Sequence, residues 1–241
     1  MSFKFKQFAV KHSKSSMKVG TDAVLLGSWA NFSNSLNLLE VGTGCGVISL
    51  IVAQREGKVN ITAIDIDENS VIEAEENFKC SKWSNRLKSL NISFQNFTKT
   101  NHEFFDHIVC NPPFFANSTP SPLQSRHFAR HTDKLNPQDF FENCLKTLNI
   151  IGKISIIIPS NDYNLWEKHS IENGFFTNRI TTVFAYPTKV SERKLIEFSR
   201  NNLSIQYTEI YIRKGKNMGF TDQYLDLTKE FYLPQINKIN Q

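Results

Sequence analysis

A glycine-rich turn between an apolar strand and an apolar helix constrains this chain more than any other feature. The run LLEVGTGCGVISL at residues 38–50 leads from a buried strand through Gly42, Gly44 and Gly46 into a helical stretch. Glycine lets the backbone turn tightly and lets a ligand approach the main chain closely. The spacing G-x-G-x-G differs from the dinucleotide fingerprint G-x-G-x-x-G, so the turn by itself indicates a ligand loop without naming the ligand.

An acidic residue at the end of the next strand narrows the kind of ligand. The run NITAID ends at Asp65, on the strand that follows the glycine turn. A carboxylate in this position can accept hydrogen bonds from ribose hydroxyls. Together the two features favour a site for a nucleoside-bearing cofactor over a purely structural turn.

Strands and helices alternate along most of the chain. Beyond the first two strands we expect a third at NISFQ (91–95), a fourth at FDHIVC (105–110) and a fifth at KISIIIP (153–159). This alternation predicts an α/β, Rossmann-like fold with a mostly parallel, doubly wound sheet. Two later extended stretches, 176–187 and 203–214, flank a charged segment that we interpret as a loop. We therefore predict an antiparallel hairpin at the C-terminal edge of the sheet.

The 241 residues are enough for one sizeable core, and we expect a single domain. Its predicted parts are a basic, cofactor-covering extension (1–35), a Rossmann-like core (36–213) and a closing segment (214–241). The apolar runs are too short to span a bilayer, and the N-terminus lacks the apolar stretch of a signal peptide. The four cysteines are scattered without ligand spacing, which favours a reduced cytoplasmic protein and no metal site.

Basic residues are concentrated near the two ends of the chain. The net charge is +5, and residues 1–20 carry five lysines and no acidic residue. Residues 187–241 have nine basic residues against six acidic ones. This distribution predicts a positive rim that meets phosphates, although a solvated terminus would show the same pattern.

A second motif, NPPFF at residues 111–115, directly follows the fourth predicted strand. Ligands of doubly wound sheets bind beyond the carboxyl ends of the strands, so this motif and the glycine turn should share one rim. The side-chain oxygen of Asn111 and the carbonyl of Pro112 can both accept from one planar NH₂ group. Phe114 can then stack on the attached ring.

The glycine turn, Asp65 and N-P-P-F, in this order, resemble the class I amino-methyltransferases. In that family the tetrapeptide [N/D]-P-P-[Y/F/W] marks methylation of planar amines: adenine N6, cytosine N4, guanine N2 or glutamine N5. The resemblance implies S-adenosyl-L-methionine as the cofactor. It also implies catalytic roles for Asn111, Pro112, Pro113 and Phe114.

The segment FKFKQFAVKHSKSSMKVGTDAVLLGSW at residues 3–29 is similar to the N-terminal signature of the bacterial methyltransferases that modify adenine 37 of a valine tRNA. RHFARHT (126–132) and LTKEFYL (227–233) match the same family. The resemblance thus spans nearly the full chain. It implies N6-methylation of a tRNA adenine, which must leave the base stack to reach the pocket.

Two groups of residues follow from this resemblance and from the charge pattern. The candidate cofactor contacts are Lys18, Gly20, Thr21, Asp22, Glu40, Gly42, Gly44, Gly46, Asp65, Asn96, Phe97 and Asn111. The candidate tRNA contacts are Lys4, Lys6, Lys11, Phe115, Arg126 and Arg130.

Other functions remain open from the sequence. The same tetrapeptide serves methylation of guanine in rRNA, of adenine in DNA and of glutamine in proteins. Only about 37 residues precede the first core strand, which argues against a separate domain for recognising a protein substrate. A non-enzymatic RNA-binding protein with a vestigial methyltransferase fold is the further alternative.

Overall fold

The central feature is one large β-sheet with helices on both faces. This computed structural model describes residues 2–15, 17–113 and 135–234. The strands of the large sheet are β3 (Asn37–Val41), β4 (Asn60–Asp65), β5 (Leu87–Asn91), β6 (Phe105–Cys110), β7 (Leu148–Pro159), β8 (Phe176–Phe184), β9 (Arg193–Ser199) and β10 (Gln206–Tyr211). They lie in the order β10-β8-β9-β7-β6-β3-β4-β5. Two short strands, β1 (Ser2–Lys4) and β2 (Ala9–Lys11), form a separate antiparallel pair.

Helices cover both faces because the strands of the sheet are apolar on both sides. The helices are α1 (Thr21–Trp29), α2 (Val47–Arg55), α3 (Glu68–Lys79), α4 (Phe94–Thr100), α5 (Pro137–Thr147), α6 (Tyr163–Glu172) and α7 (Asp222–Thr228). Leu38 packs in the core under α1 and α2, whereas its neighbour Leu39 packs in the core under α5 and α6. This alternation is what a strand buried on both faces requires.

The register brings the ends of the central strands to one edge. Val41 of β3 pairs with Ile64 of β4 on one side and with Cys110 of β6 on the other, all in parallel. The segments that follow these three residues therefore leave the sheet together. This confirms the predicted mostly parallel, Rossmann-like sheet and places the glycine turn beside Asn111.

The C-terminal part of the sheet differs from the prediction. An antiparallel strand lies near this edge as predicted, but it is β9, which is antiparallel to both β7 and β8, whereas the two stretches expected to form the hairpin, β8 and β10, pair in parallel. Strand β9 lies within the charged segment that we interpreted as a loop, and it inserts between β7 and β8. Its Leu195, Ile196 and Phe198 are buried, and its Glu197 pairs with Lys153 of β7 and with Arg179 of β8.

The third strand also lies earlier than predicted. It covers Leu87–Asn91, and α4 begins at Phe94, within the stretch 91–95 that we expected to be extended. The hydroxyl of Ser93 accepts from the backbone N–H of Asn96 at 3.2 Å and caps the helix. The spacing of Ile92 and Phe94 resembles strand alternation, but the serine cap ends the strand.

Candidate active site

A cavity of about 300 Å³ opens at the carboxyl edge of β3 and β6. Three parts of the chain meet there: the segment before and within α1, the glycine turn, and the end of β6. The lining residues are Met17, Lys18, Gly20, Thr21, Asp22, Ala23, Gly42, Thr43, Gly44, Cys45, Val47, Ile48 and Asn111. The volume lies at the lower end of the range for small-molecule sites.

The glycine turn has a backbone that other residues would adopt only under strain. Gly42, Gly44 and Gly46 have φ angles of 75°, 53° and 80°. The N–H groups of Gly42 and Thr43 donate to the carbonyl of Ile64 at 2.9 and 3.1 Å, which ties the turn to β4. The exposed main chain at Gly42 can therefore come close to a ligand.

Glu40 supports the turn from below and does not line the cavity. Its side chain is buried, and Oε2 accepts from the hydroxyls of Thr43 and Ser49 and from the N–H of Ser49 at 3.1 Å. Its Oε1 is buried without a partner among the described residues. Burial raises the pKa of Glu40 to about 7, although the hydrogen bonds from Ser49 and Thr43 oppose the rise.

Asp65 lies beside the glycine turn. Its carboxylate accepts from the backbone N–H of Gly44 at 2.8 Å and from that of Asp67 at 2.9 Å. Burial raises the pKa of this carboxyl above its usual range. Asp65 therefore shapes the turn, and a carboxylate oxygen can accept a further hydrogen bond.

Asn111 carries the clearest sign of a ligand. It lines the cavity, yet its side-chain Oδ1 is buried and has no hydrogen-bond partner among the described residues. Leaving a buried acceptor unpaired costs about 1–3 kcal/mol, so this oxygen is available for a donor that none of the described residues supplies. Pro112 is buried behind it, and Pro113 is exposed. The candidate residues Phe114, Phe115, Arg126 and Arg130 lie outside the described residues.

Asn96 and Phe97 do not reach the cavity. Phe97 is 5% exposed and packs in the core against Phe105, with the ring centroids 6.1 Å apart. The side-chain oxygen of exposed Asn96 accepts from Lys99 at 3.3 Å. The helix α4 turns the side chain of Phe97 into the core, and its contact with the cofactor stays a prediction.

The segment before α1 is held in place by a buried carboxylate that the sequence analysis missed. Glu73 of α3 is 1% exposed. It accepts from the backbone N–H groups of Ser13, Lys14 and Ser15 at 2.6, 3.0 and 2.8 Å. Burial raises the pKa of Glu73, but these three hydrogen bonds outweigh it and hold the pKa below its usual range.

Asn77, one helical turn further along α3, joins the same segment to the glycine turn. Its Oδ1 accepts from the N–H of Lys11 at 2.8 Å, and its Nδ2 donates to the carbonyls of Lys11 and Cys45 at 2.9 and 2.8 Å. The sequence does contain a signal for this pair. Two polar residues at i and i+4 occupy the same face of α3, the face that also carries buried Ala74 and Phe78.

The N-terminal phenylalanines pack the first residues onto the domain. The ring centroids of Phe5 and Phe8 are 4.6 Å apart, and Phe5 also stacks on Tyr232 at 5.8 Å. Two of the candidate lysines have partners on the protein. The ammonium of Lys11 pairs with Glu76 at 3.2 Å, and that of Lys6 donates to the carbonyl of Lys229.

The remaining candidates at the N-terminus meet at the cavity. Lys18, Gly20, Thr21 and Asp22 all line it. Asp22 also accepts from Nε of Arg193 at 2.8 Å, so the wall of the cavity is joined to the start of β9. These four residues were candidates because the run 17–22 resembles the N-terminal signature of a known family.

Neither a metal centre nor a membrane span emerges from the residues that the structure describes. Within these ranges, histidine, cysteine, aspartate and glutamate form no cluster of three or more that could hold a metal ion. No helix there has the length and apolar character needed to cross a membrane.

Relatives with known names match nearly the whole chain. A protein of Trichodesmium erythraeum is 38% identical over 233 residues, which cover 96% of this chain and 97% of the relative. Proteins of Flavobacterium psychrophilum and Pseudoalteromonas translucida are each 36% identical, over 96% of this chain and 99% and 98% of their own lengths. All three are named tRNA1(Val) (adenine(37)-N6)-methyltransferase.

Solved structures and a family model agree with the fold. A predicted O-methyltransferase from Agrobacterium tumefaciens superposes with a TM-score of 0.64 at 17% identity, over 87% of this chain and 96% of its own. The ribosomal protein L11 methylase of Lactobacillus delbrueckii superposes with a TM-score of 0.52 at 19% identity, over 75% of this chain and 77% of its own. The methyltransferase small domain model matches residues 3–163. The chain therefore belongs to the methyltransferase small domain family and, within it, to the family of the tRNA1(Val) (adenine(37)-N6)-methyltransferases.

Proposed function

We propose that this chain methylates the exocyclic N6 of adenine 37 in a valine tRNA, with S-adenosylmethionine as the methyl donor. The relatives that are 36–38% identical over 96% of the chain carry this activity in their names. The structural observation that supports it is the unpaired Oδ1 of Asn111, which lies in the same cavity as the glycine turn.

The residues present fit the cofactor. The cavity has a wall of glycine main chain at Gly42 and Gly44, and the carboxylate of Asp65 lies against Gly44. Lys18, Gly20, Thr21 and Asp22 close the opposite side, so we assign them to the cofactor as well. When bound, S-adenosylmethionine supplies an electrophilic methyl group.

The protein contributes position and hydrogen bonding at the amine. The N6 lone pair of adenine is delocalised into the ring, which makes this nitrogen a poor nucleophile. The Oδ1 of Asn111 and the carbonyl of Pro112 can each accept one N–H of the amine and hold its lone pair toward the cavity. Asn111 is neutral and does not act as a base, and the methylated amine is acidic enough to lose its proton afterwards.

We assign base capture to the rest of the NPPFF motif and tRNA contact to the basic ends of the chain. Phe114 is proposed to stack on the flipped adenine, and Phe115, Arg126 and Arg130 to contact the RNA around it. The N-terminal lysines contribute unequally, because the ammonium groups of Lys6 and Lys11 already have partners on the protein. We expect the reaction to take place in the cytoplasm, where tRNA is processed.

The test is mass spectrometry of nucleosides from tRNA of a deletion strain, before and after incubation with the purified protein and S-adenosylmethionine. We expect N6-methyladenosine to appear only after incubation. A methylated guanine instead would move the function to another amine, and no methylated nucleoside despite cofactor binding would point to a protein substrate or a vestigial enzyme.

The variant Asn111→Ala tests the role of this side chain, through kcat and through the affinity for S-adenosylmethionine. Loss of one acceptor of this kind should lower kcat by about 10²–10³-fold. Calorimetry should show nearly unchanged affinity for S-adenosylmethionine, because the side chain acts on the amine. Asn111→Asp keeps an acceptor oxygen and should retain more activity than the alanine variant. Full turnover of Asn111→Ala would place the reaction centre elsewhere.

A further inference from the structure

A second cavity of about 470 Å³ lies at the same edge of the sheet, between the segments that follow β8 and β10. We call it the basic groove. It is lined by Ala185, Tyr186, Arg213, Lys216 and Asn217. An aromatic ring and two cations facing one concave surface are the components of a site for nucleic acid.

The segment after β10 holds these cations in a defined loop. Arg213 forms an isolated bridge with Phe220, and the N–H of Lys214 donates to the carbonyl of Gly219 at 2.9 Å. The guanidinium of Arg213 stacks over the ring of Phe220 at 4.8 Å and donates to the carbonyl of Met218 at 3.1 Å. A group that is already ordered loses little entropy when it binds a phosphate.

The charge of the groove is not cancelled by nearby acids. Among the described residues, no carboxylate oxygen lies within 4.0 Å of the Lys216 ammonium. Lys214, beside the groove, pairs with Asp222 at 3.5 Å, but the Asp222 side chain is 85% exposed. Such an exposed pair is weak and exchanges readily for a phosphate.

The groove lies a few nucleotide lengths away from the proposed reaction centre at Asn111. Asn111 follows β6, and in the sheet β8 is three strands and β10 four strands away from β6. At ~4.8 Å per strand this separation is roughly 14–19 Å, and a stacked strand advances ~3.4 Å per nucleotide. The groove is therefore about four to six nucleotides from a base bound at Asn111. Arg193 lies at the start of β9, between the groove and the first cavity. Its Nε donates to the carboxylate of Asp22, which lines the first cavity, at 2.8 Å.

We propose that the basic groove binds the phosphate backbone of the RNA substrate a few nucleotides away from the target adenine, with Arg213 and Lys216 on phosphates and Tyr186 against a base or ribose. The inference rests on the proposed function for the identity of the RNA. It explains why the C-terminal region, and not only the N-terminus, carries excess basic charge.

The test is the salt dependence of tRNA binding by the double variant Arg213→Gln/Lys216→Gln. Each lost phosphate contact should reduce the slope of log affinity against log salt by about 0.7–0.9, so the pair should reduce it by about 1.4–1.8. At 0.15 M salt the affinity should fall roughly tenfold to thirtyfold. The KM for tRNA should rise with it, while kcat and the affinity for S-adenosylmethionine stay near those of the unmodified protein.

The chain offers a matched control at the opposite edge of the sheet. Arg200 stacks over Phe175 at 5.5 Å and donates to the carbonyl of Leu145 at 3.2 Å, much as Arg213 does with Phe220 and Met218. Lys146 is exposed near the end of α5, at that same opposite edge. Arg200→Gln/Lys146→Gln removes the same charge and should leave the slope unchanged. An equal fall in both variants would show only a net-charge effect and would overturn the inference.

Arg213 also holds its own loop together, so single variants at Lys216 and Tyr186 are needed to separate a lost RNA contact from a disturbed loop. Lys216→Gln alone should reduce the slope by about 0.7–0.9. Tyr186→Ala should weaken binding by at least about fivefold without changing the slope, because stacking releases no counterions. An unchanged slope in both Gln variants of the groove, with normal methylation of tRNA, would refute the groove and leave the proposed function intact. An unmodified protein that binds S-adenosylmethionine but does not methylate tRNA would refute the proposed function instead.

Discussion

Individual residues of the site divide into those that face the ligand and those that support them. Asn111 lines the cavity and its Oδ1 has no partner among the described residues, whereas Glu40 lies beneath the glycine turn, where its Oε2 accepts from Thr43 and Ser49. The three glycines also differ. A Cβ on Gly42 would meet no atom of the described residues within 4 Å, whereas a Cβ on Gly46 would lie 2.5 Å from the ring of Phe78. The third glycine therefore serves the packing of the turn on α3.

We predict that Gly46→Ala destabilises the protein by about 2–5 kcal/mol, from a left-handed backbone that alanine resists and from the clash with Phe78. Urea unfolding would measure the loss. Gly57→Ala is the control, because a Cβ there meets nothing within 4 Å and the backbone is not left-handed. Its effect should stay within about 1 kcal/mol of the unmodified protein. Equal stability of the two variants would contradict the packing role of Gly46.

At the scale of elements, α3 connects two sides of the cavity that we propose as the cofactor site. Its Glu73 holds the backbone of residues 13–15, and its Asn77 bonds both Lys11 and Cys45. The run 17–22 that lines the cavity follows directly after these contacts. The sequence motifs identify both halves of the site, but the helix that holds them together is visible only when the chain is folded.

We predict that Glu73→Gln weakens the binding of S-adenosylmethionine by roughly tenfold or more, because hydrogen bonds to a charged acceptor contribute about 1.5–3 kcal/mol. Calorimetry would measure the affinity, and trypsin cleavage after Lys11 and Lys14 would report release of the segment. Glu76→Gln is the control on the same helix. Its side chain is partly exposed, and among the described residues its ion pairs are with the ammonium groups of Lys11 and Lys14. Unchanged affinity in Glu73→Gln would remove the segment from the cofactor site.

At the scale of the whole molecule, the insertion of β9 determines how the C-terminal region joins the core. Glu197 of β9 is 6% exposed and pairs with Lys153 of β7 at 3.1 Å and with Arg179 of β8 at 3.3 Å. Arg179 in turn stacks over the ring of Trp29 of α1 at 3.7 Å. One carboxylate thus joins three neighbouring strands, and the guanidinium of Arg179 links them to α1, whose first residues line the cavity beside the glycine turn.

We predict that Glu197→Ala destabilises the protein by about 2–4 kcal/mol. The change leaves Lys153 and Arg179 without their carboxylate partner, and both side chains are only partly exposed to water. Urea unfolding monitored by circular dichroism would measure this loss. Glu192→Ala removes an exposed carboxylate that pairs with Lys189, and it should cost at most about 1 kcal/mol. A loss no larger for Glu197→Ala than for Glu192→Ala would mean that the buried pairs do not stabilise the sheet.

Local patterns in the sequence were enough to predict the parallel core and the position of the glycine turn beside Asn111, whereas the placement of residues 18–22 at the same site came from the resemblance to a known family. These features depend on strand periodicity, on backbone freedom at glycine and on the rule that parallel strands end at one edge. The position of β9 could not be predicted in this way, and the spacing of Glu73 and Asn77 places them on one face of α3 without revealing their hydrogen-bond partners. A charged strand is stable only when its partners lie in neighbouring strands, and a buried carboxylate is stable only where folding brings donors to it, so tertiary structure alone decided both.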